Sequence, residues 1–183
     1  MDESDSNFNG TAPPQHLLSD YIEMAYLIIV IILGTPLNIY ILIKLFKKLQ
    51  KSGSDAIKIG FLILKINLNI SDLLILLLLA FGKLCWLATY EWKANELACK
   101  IFNFLSMLTL YISSNIVVCI ALDRFRNVLS ASKIRRKSNF VRIIVTVSWI
   151  LALLWSIPQL YVWETVNVYP EWPGGWIQCS DIC

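Results

Sequence analysis

The chain has 183 residues, of which 57% are hydrophobic, and its formal net charge is +3. A mean hydropathy of +0.62 is too high for a soluble domain of this size, because such a domain must keep a polar surface towards water. The composition therefore excludes a soluble globular protein and indicates a membrane protein whose apolar residues face lipid.

Four blocks of apolar residues, each about 20 residues long or slightly longer, can each cross about 30 Å of hydrocarbon as a helix. The predicted spans are 24–46, 59–82, 101–122 and 141–163. A strand is excluded because a lone strand cannot satisfy its backbone in lipid and the blocks lack the alternation of barrel strands. We expect an all-α membrane protein with a tail at 1–23 and a final loop at 164–183.

Basic residues concentrate between the first and second spans and between the third and fourth, which predicts that both loops are cytoplasmic. They are Lys44, Lys47, Lys48, Lys51 and Lys58, then Arg126, Lys133, Arg135, Arg136, Lys137 and Arg142. The tail at 1–23 has five acidic residues and neither Lys nor Arg, so we expect it to be extracellular and not a cleaved leader. The basic runs then report topology rather than binding to nucleic acid.

Asp72 lies in the middle of the second predicted span. A carboxylate there costs about 3 kcal/mol on insertion scales, so we expect it to face the bundle interior or to be protonated. It either holds helices together as a polar contact or senses an ion or a proton. Its expected polar neighbours are Asn38, Asn67 and Ser71.

Cysteines lie on the outer side at the start of the third span, at Cys99, and in the final loop, at Cys179 and Cys183. This compartment oxidises thiols, so we expect a bridge. A bridge from Cys99 to Cys179 would contribute on the order of 4 kcal/mol in chain entropy. Cys85 and Cys119 fall within apolar helical runs and are interpreted as packing residues.

The tripeptide Asp123-Arg124-Phe125 ends the third span where the cytoplasmic face begins. Taken alone, its arginine is equally typical of a cation snorkelling at a helix end. Pro158, near the outer end of the fourth span, is expected to bend or end that helix. Beyond it, alternation at 165–169, a Pro-Gly-Gly turn and a return at 176–179 predict a β-hairpin that walls an outward cavity.

Together, these positions resemble class A (rhodopsin-like) G-protein-coupled receptors. The resemblance rests on Asn38 within GTPLN, Asp72 within NLNISD, Cys99, the DRF tripeptide, and Trp149 with the later Pro158. The segments ELACKIF, WSIPQLYVW and QCSDIC further resemble the gonadotropin-releasing hormone and adipokinetic hormone receptors. Vasopressin-like and other peptide receptors share much of this pattern.

The resemblance implies the first four helices of a seven-helix bundle and assigns residue roles. The activation switch would consist of Asn38, Asp72, Asp123 and Arg124, with a sodium ion at Asp72. The contact with a G protein would be made by Arg124, Val128 and Leu129. The ligand pocket would be lined by Lys83, Trp86, Ser106 and Gln178, and the disulfide would join Cys99 to Cys179.

Some residues depart from the pattern of that family. Phe125 stands where Tyr is commonest, and Ala131 replaces the usual Pro. Lys83 stands where gonadotropin-releasing hormone receptors carry Asp, and Ser106 where they carry Lys. Because a reversed charge penalises a ligand built for the original one, the vertebrate hormone is a poor candidate ligand. Cys183 is interpreted as unpaired here, or as paired in a complete chain with a residue outside these 183.

A complete family member would continue through three more helices. We therefore expect a gene-model fragment or a truncated isoform of a plasma-membrane receptor for a neuropeptide or peptide hormone. Such a fragment would lack the moving sixth helix and would not signal to a heterotrimeric G protein alone.

Two alternative functions stay open at this stage. The first is a truncated receptor that forms a dimer with a full-length partner and modulates it. The second is a four-helix channel or transporter subunit, which would want more intramembrane polar residues than Asp72. An enzyme is disfavoured because the only histidine is His16 and no nucleophile–base pair or metal-ligand cluster is visible. We expect no cofactor.

Asn9-Gly10-Thr11 on the tail forms a glycosylation sequon, which allows a test of the topology. If the tail is extracellular, the chain made in animal cells carries an N-glycan that an amidase removes, and Asn9→Gln abolishes the shift in gel mobility. Asn69→Gln is the matched control, because the sequon at Asn69 lies within the second span. An unglycosylated Asn9 would contradict the predicted orientation.

Overall fold

The structure, a computed structural model, describes residues 16–53, 56–129, 139–170 and 175–181. The predicted glycosylation site Asn9, together with Ala131 and Cys183, lies outside the described residues. The helices are α1 (Leu18–Gln50), α2 (Ala56–Leu74), a π-helical segment (Ile75–Ala80), α3 (Phe81–Thr89), α4 (Glu96–Leu129), α5 (Asn139–Ser156) and α6 (Gln159–Val162). The strands are β1 (Trp163–Asn167) and β2 (Ile177–Asp181).

Within the described residues, four helical stretches are long and apolar enough to cross a membrane. They are Leu18–Gln50, Ile57–Thr89, Glu96–Leu129 and Asn139–Val162, and are called the first to fourth spans below. The predicted class, an all-α membrane protein with one small hairpin, is confirmed. Each span starts before its predicted start because helical hydrogen bonding continues into the polar interface, whereas hydropathy detects only the lipid-embedded part.

The second span is not a uniform α-helix, and this feature was not predicted. Its π-helical turn, Ile75–Ala80, ends where the Phe81 N–H bonds the carbonyl of Leu76, five residues earlier. A π turn holds an extra residue and so rotates the helix beyond it. It therefore sets the direction of Lys83 relative to Asp72. The uninterrupted apolar run gave no signal of this change in helical period.

α4 lies at the centre of the bundle and packs against α5 and the second span. Its buried residues recur every three or four positions along one face. The buried apolar cluster shared by these helices consists of Leu64, Ile112, Ile116, Cys119, Val141, Val145 and Ala152. α1 is mostly exposed, with Leu27 as its one buried residue among those described. The fold is thus organised around α4.

Polar contacts join the helices inside this apolar cluster. Asn115 Nδ2 donates to the Ser148 carbonyl at 3.1 Å, and Cys119 Sγ lies 2.9 Å from Ser148 Oγ. Trp149 Nε1 donates to Asn67 Oδ1 at 3.1 Å, which joins the second and fourth spans. These bonds fix the rotation of each helix about its own axis, because an unmade polar contact is costly in hydrocarbon.

The fourth span breaks near Pro158, which lacks a backbone donor. α5 ends at Ser156, and a short α6 continues to Val162 before the chain becomes extended. β1 and β2 then pair as an antiparallel hairpin, with Thr165 opposite Cys179. The predicted hairpin is confirmed, although its first strand begins at Trp163 rather than at 165.

We expect Trp149→Phe to lower the free energy of unfolding by about 0.6 kcal/mol and by no more than about 2 kcal/mol, because it removes one interhelical hydrogen bond in lipid. The measurement is a detergent-unfolding titration of the chain in bicelles. Trp155→Phe is the matched control, since Trp155 is 53% exposed and forms no hydrogen bond through its side chain with the described residues. Equal losses from the two substitutions would contradict the assigned bond.

Candidate functional site

A disulfide joins the amino-terminal end of α4 to the hairpin. Cys99 and Cys179 are bonded with Cα atoms 5.7 Å apart, across a sequence separation of 80 residues. Both side chains are buried. Asn103, one turn further along α4, donates to the Cys99 carbonyl at 3.0 Å and lies 3.2 Å from Cys179 Sγ. The predicted pairing is present, and Asn103 is an additional residue that supports it.

The hairpin also bonds to the loop that connects the second and third spans. Trp86 Nε1 donates to Gln178 Oε1 at 3.1 Å, and Gln178 Nε2 donates to the Tyr90 carbonyl at 2.7 Å. The Trp92 N–H donates to the Ile177 carbonyl at 2.8 Å. Two of the four predicted pocket residues, Trp86 and Gln178, are therefore in direct contact. The second bond of Gln178, to the Tyr90 carbonyl, was not predicted.

Tyr90 adopts a left-handed backbone conformation with φ 54°, which is uncommon for a residue with a side chain. This conformation ends α3 and directs the carbonyl of Tyr90 towards Gln178. The ring of His16 lies 4.3 Å from the Tyr90 ring, centroid to centroid. Desolvation raises the pKa of Tyr90, and the charge of Asp20 and a hydrogen bond to it raise it further. The start of α1 is thus attached to the same loop.

Aromatic rings fill the space behind Trp86. The rings of Trp86 and Trp92 meet edge to face at 5.9 Å, and the rings of Trp92 and Phe102 lie 5.8 Å apart. Gly82 lets Phe102 approach, because a Cβ at that glycine would lie 2.2 Å from the Phe102 ring. A cavity of 300 Å³ opens beside these rings and is bordered by Cys85. Trp86 is therefore held rigidly from one side.

The other two predicted pocket residues are placed differently. Lys83 forms an ion pair with Glu23 of α1, and both side chains remain partly exposed. Ser106 is 5% exposed on the buried face of α4, and its hydroxyl has no hydrogen-bond partner among the described residues. The structure thus brings Trp86 and Gln178 together, while Lys83 faces α1 and Ser106 lies deeper in the bundle.

At mid-membrane, Asn38 bonds to Asn69 rather than to Asp72. Asn69 Nδ2 donates to Asn38 Oδ1 at 2.7 Å, and Asn38 Nδ2 donates to the Gly34 carbonyl at 2.9 Å. Asn67 bonds to Trp149, so it is also not a partner of the carboxylate. Asp72 is half-buried, and within the described residues its carboxylate accepts no hydrogen bond. Sequence reasoning missed Asn69, although its place two residues after Asn67 could have suggested it.

The carboxylate of Asp72 has oxygen atoms available to a cation, which is the donor type that sodium prefers. Among the described residues, however, no group of three His, Cys, Asp or Glu side chains could hold a metal ion. A sodium site would therefore need hydroxyl, carbonyl or water ligands beside Asp72. Asp72 supplies one anionic ligand. Asn69, which bonds to Asn38, precedes Asp72 by three residues, close to one helical turn.

The carboxyl-terminal end of α4 presents an acid and a base in different environments. Asp123 is 4% exposed and accepts a hydrogen bond from Asn127 Nδ2 at 3.3 Å. Arg124 is exposed, and its guanidinium lies 4.7 Å from the centroid of the Phe61 ring. A cavity of 190 Å³ separates these residues from the start of the second span. Burial of the acid and exposure of the base leave the arginine able to change partners.

Two apolar side chains stand free beside that arginine. Val128 is 77% exposed and Leu129 is 68% exposed, both in the last turn of α4. Large apolar side chains exposed together at a loop are typical of a surface that binds another protein. The contact of Val128 and Leu129 with a G protein stays a prediction.

Comparison with known proteins gives the class of this chain. The sequence model of the 7 transmembrane receptor (rhodopsin family) matches residues 58–182, most of the chain. The chain therefore belongs to the rhodopsin family of seven-transmembrane receptors. It is a multi-pass membrane protein of a receptor family and not an enzyme, as the sequence predicted.

Comparison with individual receptors shows which members of this family the chain is similar to. The chain is 36% identical over 176 residues to the G-protein coupled receptor daf-38 of Caenorhabditis elegans, covering 95% of this chain and 40% of that receptor. It is 35% identical over 117 residues to the gonadotropin-releasing hormone receptor of Octopus vulgaris, covering 63% of this chain and 28% of that receptor. Identity to the rat gonadotropin-releasing hormone receptor is 27% over 171 residues, 93% of this chain and 52% of that receptor. The chain thus spans about half or less of the length of these relatives, and the predicted placement near gonadotropin-releasing hormone receptors is confirmed.

We expect Cys99→Ser to lower the free energy of unfolding by about 2 to 4 kcal/mol, because it frees the hairpin from α4. The same loss should follow Cys179→Ser, and the double variant should lose no more than either single one, since all three remove one bond. Cys85→Ser is the control because this exposed thiol is free. The measurement is thermal unfolding in detergent. If the loss in the double variant equals the sum of the losses in the two single variants, the bond is contradicted.

Proposed function

We propose that this chain forms part of a plasma-membrane receptor that binds a peptide hormone or neuropeptide outside the cell and contacts a heterotrimeric G protein inside. The single observation that carries the proposal is that α4 joins two unlike sites. Its outer end is bonded to the hairpin through Cys99 and Cys179, and its inner end presents Arg124 to solvent. The proposed orientation has the tail at 1–23 outside, because the basic loops are held on the cytoplasmic side.

The ligand side is formed by Trp86 and Gln178, with Lys83 and Ser106 further along the wall. The Trp86–Gln178 hydrogen bond offers a rigid aromatic surface, and such surfaces contribute most to peptide binding. Lys83 stands where related receptors carry an acid, and Glu23 of α1 is its counter-ion within the chain. A ligand therefore meets a neutral pair at this point, which supports a peptide other than the vertebrate hormone.

The G-protein side is formed by Arg124, Val128 and Leu129. The arginine lies on the Phe61 ring and can exchange this contact for a carbonyl of the partner without losing its charge. Val128 and Leu129 supply the apolar contact, because both are largely exposed in the last turn of α4. Asp123 holds the base of this site through its burial and its bond with Asn127.

Asp72 and Asn38 form the proposed switch between the two sites. Asp72 is half-buried and accepts no hydrogen bond from the described residues, so a proton can neutralise its carboxylate or a sodium ion can compensate its charge at small structural cost. Asn38 fixes the first span to the second through Asn69. A change in the charge of Asp72 would then occur about one helical turn from the Asn38–Asn69 hydrogen bond.

A polypeptide of these 183 residues is proposed not to signal alone, since four spans offer no moving helix for a ligand to bias. It would instead associate with a complete receptor. Co-expression distinguishes the two outcomes: delivery of the complete receptor to the cell surface falls if the chain binds it and is unchanged if the chain is inert. A ligand-dependent calcium response from the 183 residues alone would contradict the first part of this proposal.

The decisive experiment is a chimera in which the part of this chain that aligns with the octopus gonadotropin-releasing hormone receptor replaces the matching segment of that receptor. The alignment spans 117 residues, 63% of this chain. We expect the chimera to bind that receptor's hormone and to signal. Arg124→Ala should reduce the maximal calcium response about tenfold or more, within the usual range of coupling free energies, while hormone affinity changes less than about threefold.

Arg126→Ala is the matched control for Arg124→Ala. Arg126 is two residues away and carries the same charge, but its guanidinium lies 4.1 Å from the Phe140 ring centroid and faces α5. Its loss should leave the response within about twofold. Equal damage by both substitutions would contradict the role of Arg124, and a chimera that reaches the surface without binding hormone would contradict the ligand class.

A further inference from the structure

A basic cavity lies between the cytoplasmic ends of the first two spans and borders the cavity beside Arg124 through Lys58 and Phe61. Its volume is 440 Å³. Its main lining residues are Leu45, Lys48, Lys51, Lys58, Phe61 and Lys65. Four lysines thus share one concave surface with the apolar side chains of Leu45, Phe61 and Leu62, a combination that neither a packed core nor an ordinary solvated loop requires.

The lining residues come from two helical stripes that face each other. Lys58, Phe61 and Lys65 recur at intervals of three and four, so they lie on one face of α2. Leu45 and Lys48 do the same on α1. The two stripes meet because α1 packs along α2. The cavity is therefore built by the helices and not by the loop between them.

Lys65 is the most informative of these lysines because it lies well inside the second span. It is two turns, about 10 Å, further along α2 than Lys58. A lysine at this depth is costly in lipid unless its ammonium group finds a partner. Its Nζ lies 4.3 Å from the centroid of the Phe61 ring, which turns it towards the cavity. The positive charges are thus stacked through the depth of the membrane interface.

Three of these lysines, Lys48, Lys51 and Lys65, have no acidic partner in the part of the chain that the structure describes. Between Leu45 and Lys65 the sequence contains one acid, Asp55, against five lysines, and Asp55 lies outside the described residues. Like charges held together repel one another, so the cavity favours an anion.

We propose that this cavity binds the headgroup of an anionic membrane phospholipid that carries more than one phosphate. Its depth favours a lipid over a soluble anion, because Lys48 and Lys51 stand at the surface while Lys65 reaches the level of a glycerol phosphate. Leu45 and Phe61 offer apolar contact to the glycerol and the upper acyl chain. Basic pockets between membrane helices at the cytoplasmic leaflet bind such headgroups.

The test uses the 183-residue chain purified in detergent and titrated with phosphatidylinositol bisphosphate, with lipid retention measured by native mass spectrometry. The triple variant Lys48→Gln, Lys51→Gln, Lys65→Gln should lose on the order of 100-fold in affinity. The corresponding triple Arg variant keeps the charge and should bind within about fivefold of the unaltered chain. Thermal unfolding of each variant shows whether the fold is kept.

The matched control removes the same charge elsewhere. Lys44→Gln, Lys47→Gln, Lys93→Gln alters three lysines that do not line the cavity, and it should change affinity less than about threefold. Equal losses in the two Gln variants would overturn the proposal, because attraction would then be diffuse. Soluble inositol trisphosphate that binds as tightly as the lipid would also overturn it, since the site would then recognise a free anion.

Discussion

The absence of a hydrophobic driving force between helices in lipid is the constraint on which this structure depends. A leucine gains nothing by leaving lipid for another leucine, so the helices must be joined by close packing and by polar contacts. The chain supplies these contacts at three levels: Asn38 with Asn69, Asn67 with Trp149, and Asn115 with the carbonyl of Ser148. Each contact joins a different pair of spans. Together they define which face of every helix points inward.

α4 gains its central role from this arrangement. It is the helix that touches α5, the second span and the hairpin, and its buried face runs from Cys99 to Asp123. The disulfide fixes its outer end, and the buried Asp123 fixes its inner end. The hairpin and Arg124 are therefore attached to opposite ends of one helix. This geometry is what makes a receptor function physically reasonable for the two ends of one helix.

Charge divides the molecule along the membrane normal. The end of the bundle that carries the hairpin has acidic residues and the ion pair of Lys83 with Glu23. The opposite end collects lysines around Phe61, whose ring contacts both Lys65 and Arg124. The proposed lipid cavity and the proposed G-protein surface thus share one aromatic wall. A bound headgroup would change the electrostatic environment of Arg124, which links the two proposals without making either depend on the other.

The sequence by itself determined the spans, the basic loops and the hairpin, because hydropathy and alternation along the chain report local burial in lipid. It also indicated that Cys99 pairs with a cysteine of the final loop, and the resemblance to the receptor family selected Cys179 over Cys183. It did not determine the partner of Asn38 or the π turn before Phe81. Both depend on the rotation of one helix against another, which no single span encodes. Only the tertiary structure decided those contacts, because a polar side chain in lipid bonds to whichever partner helix packing brings within reach.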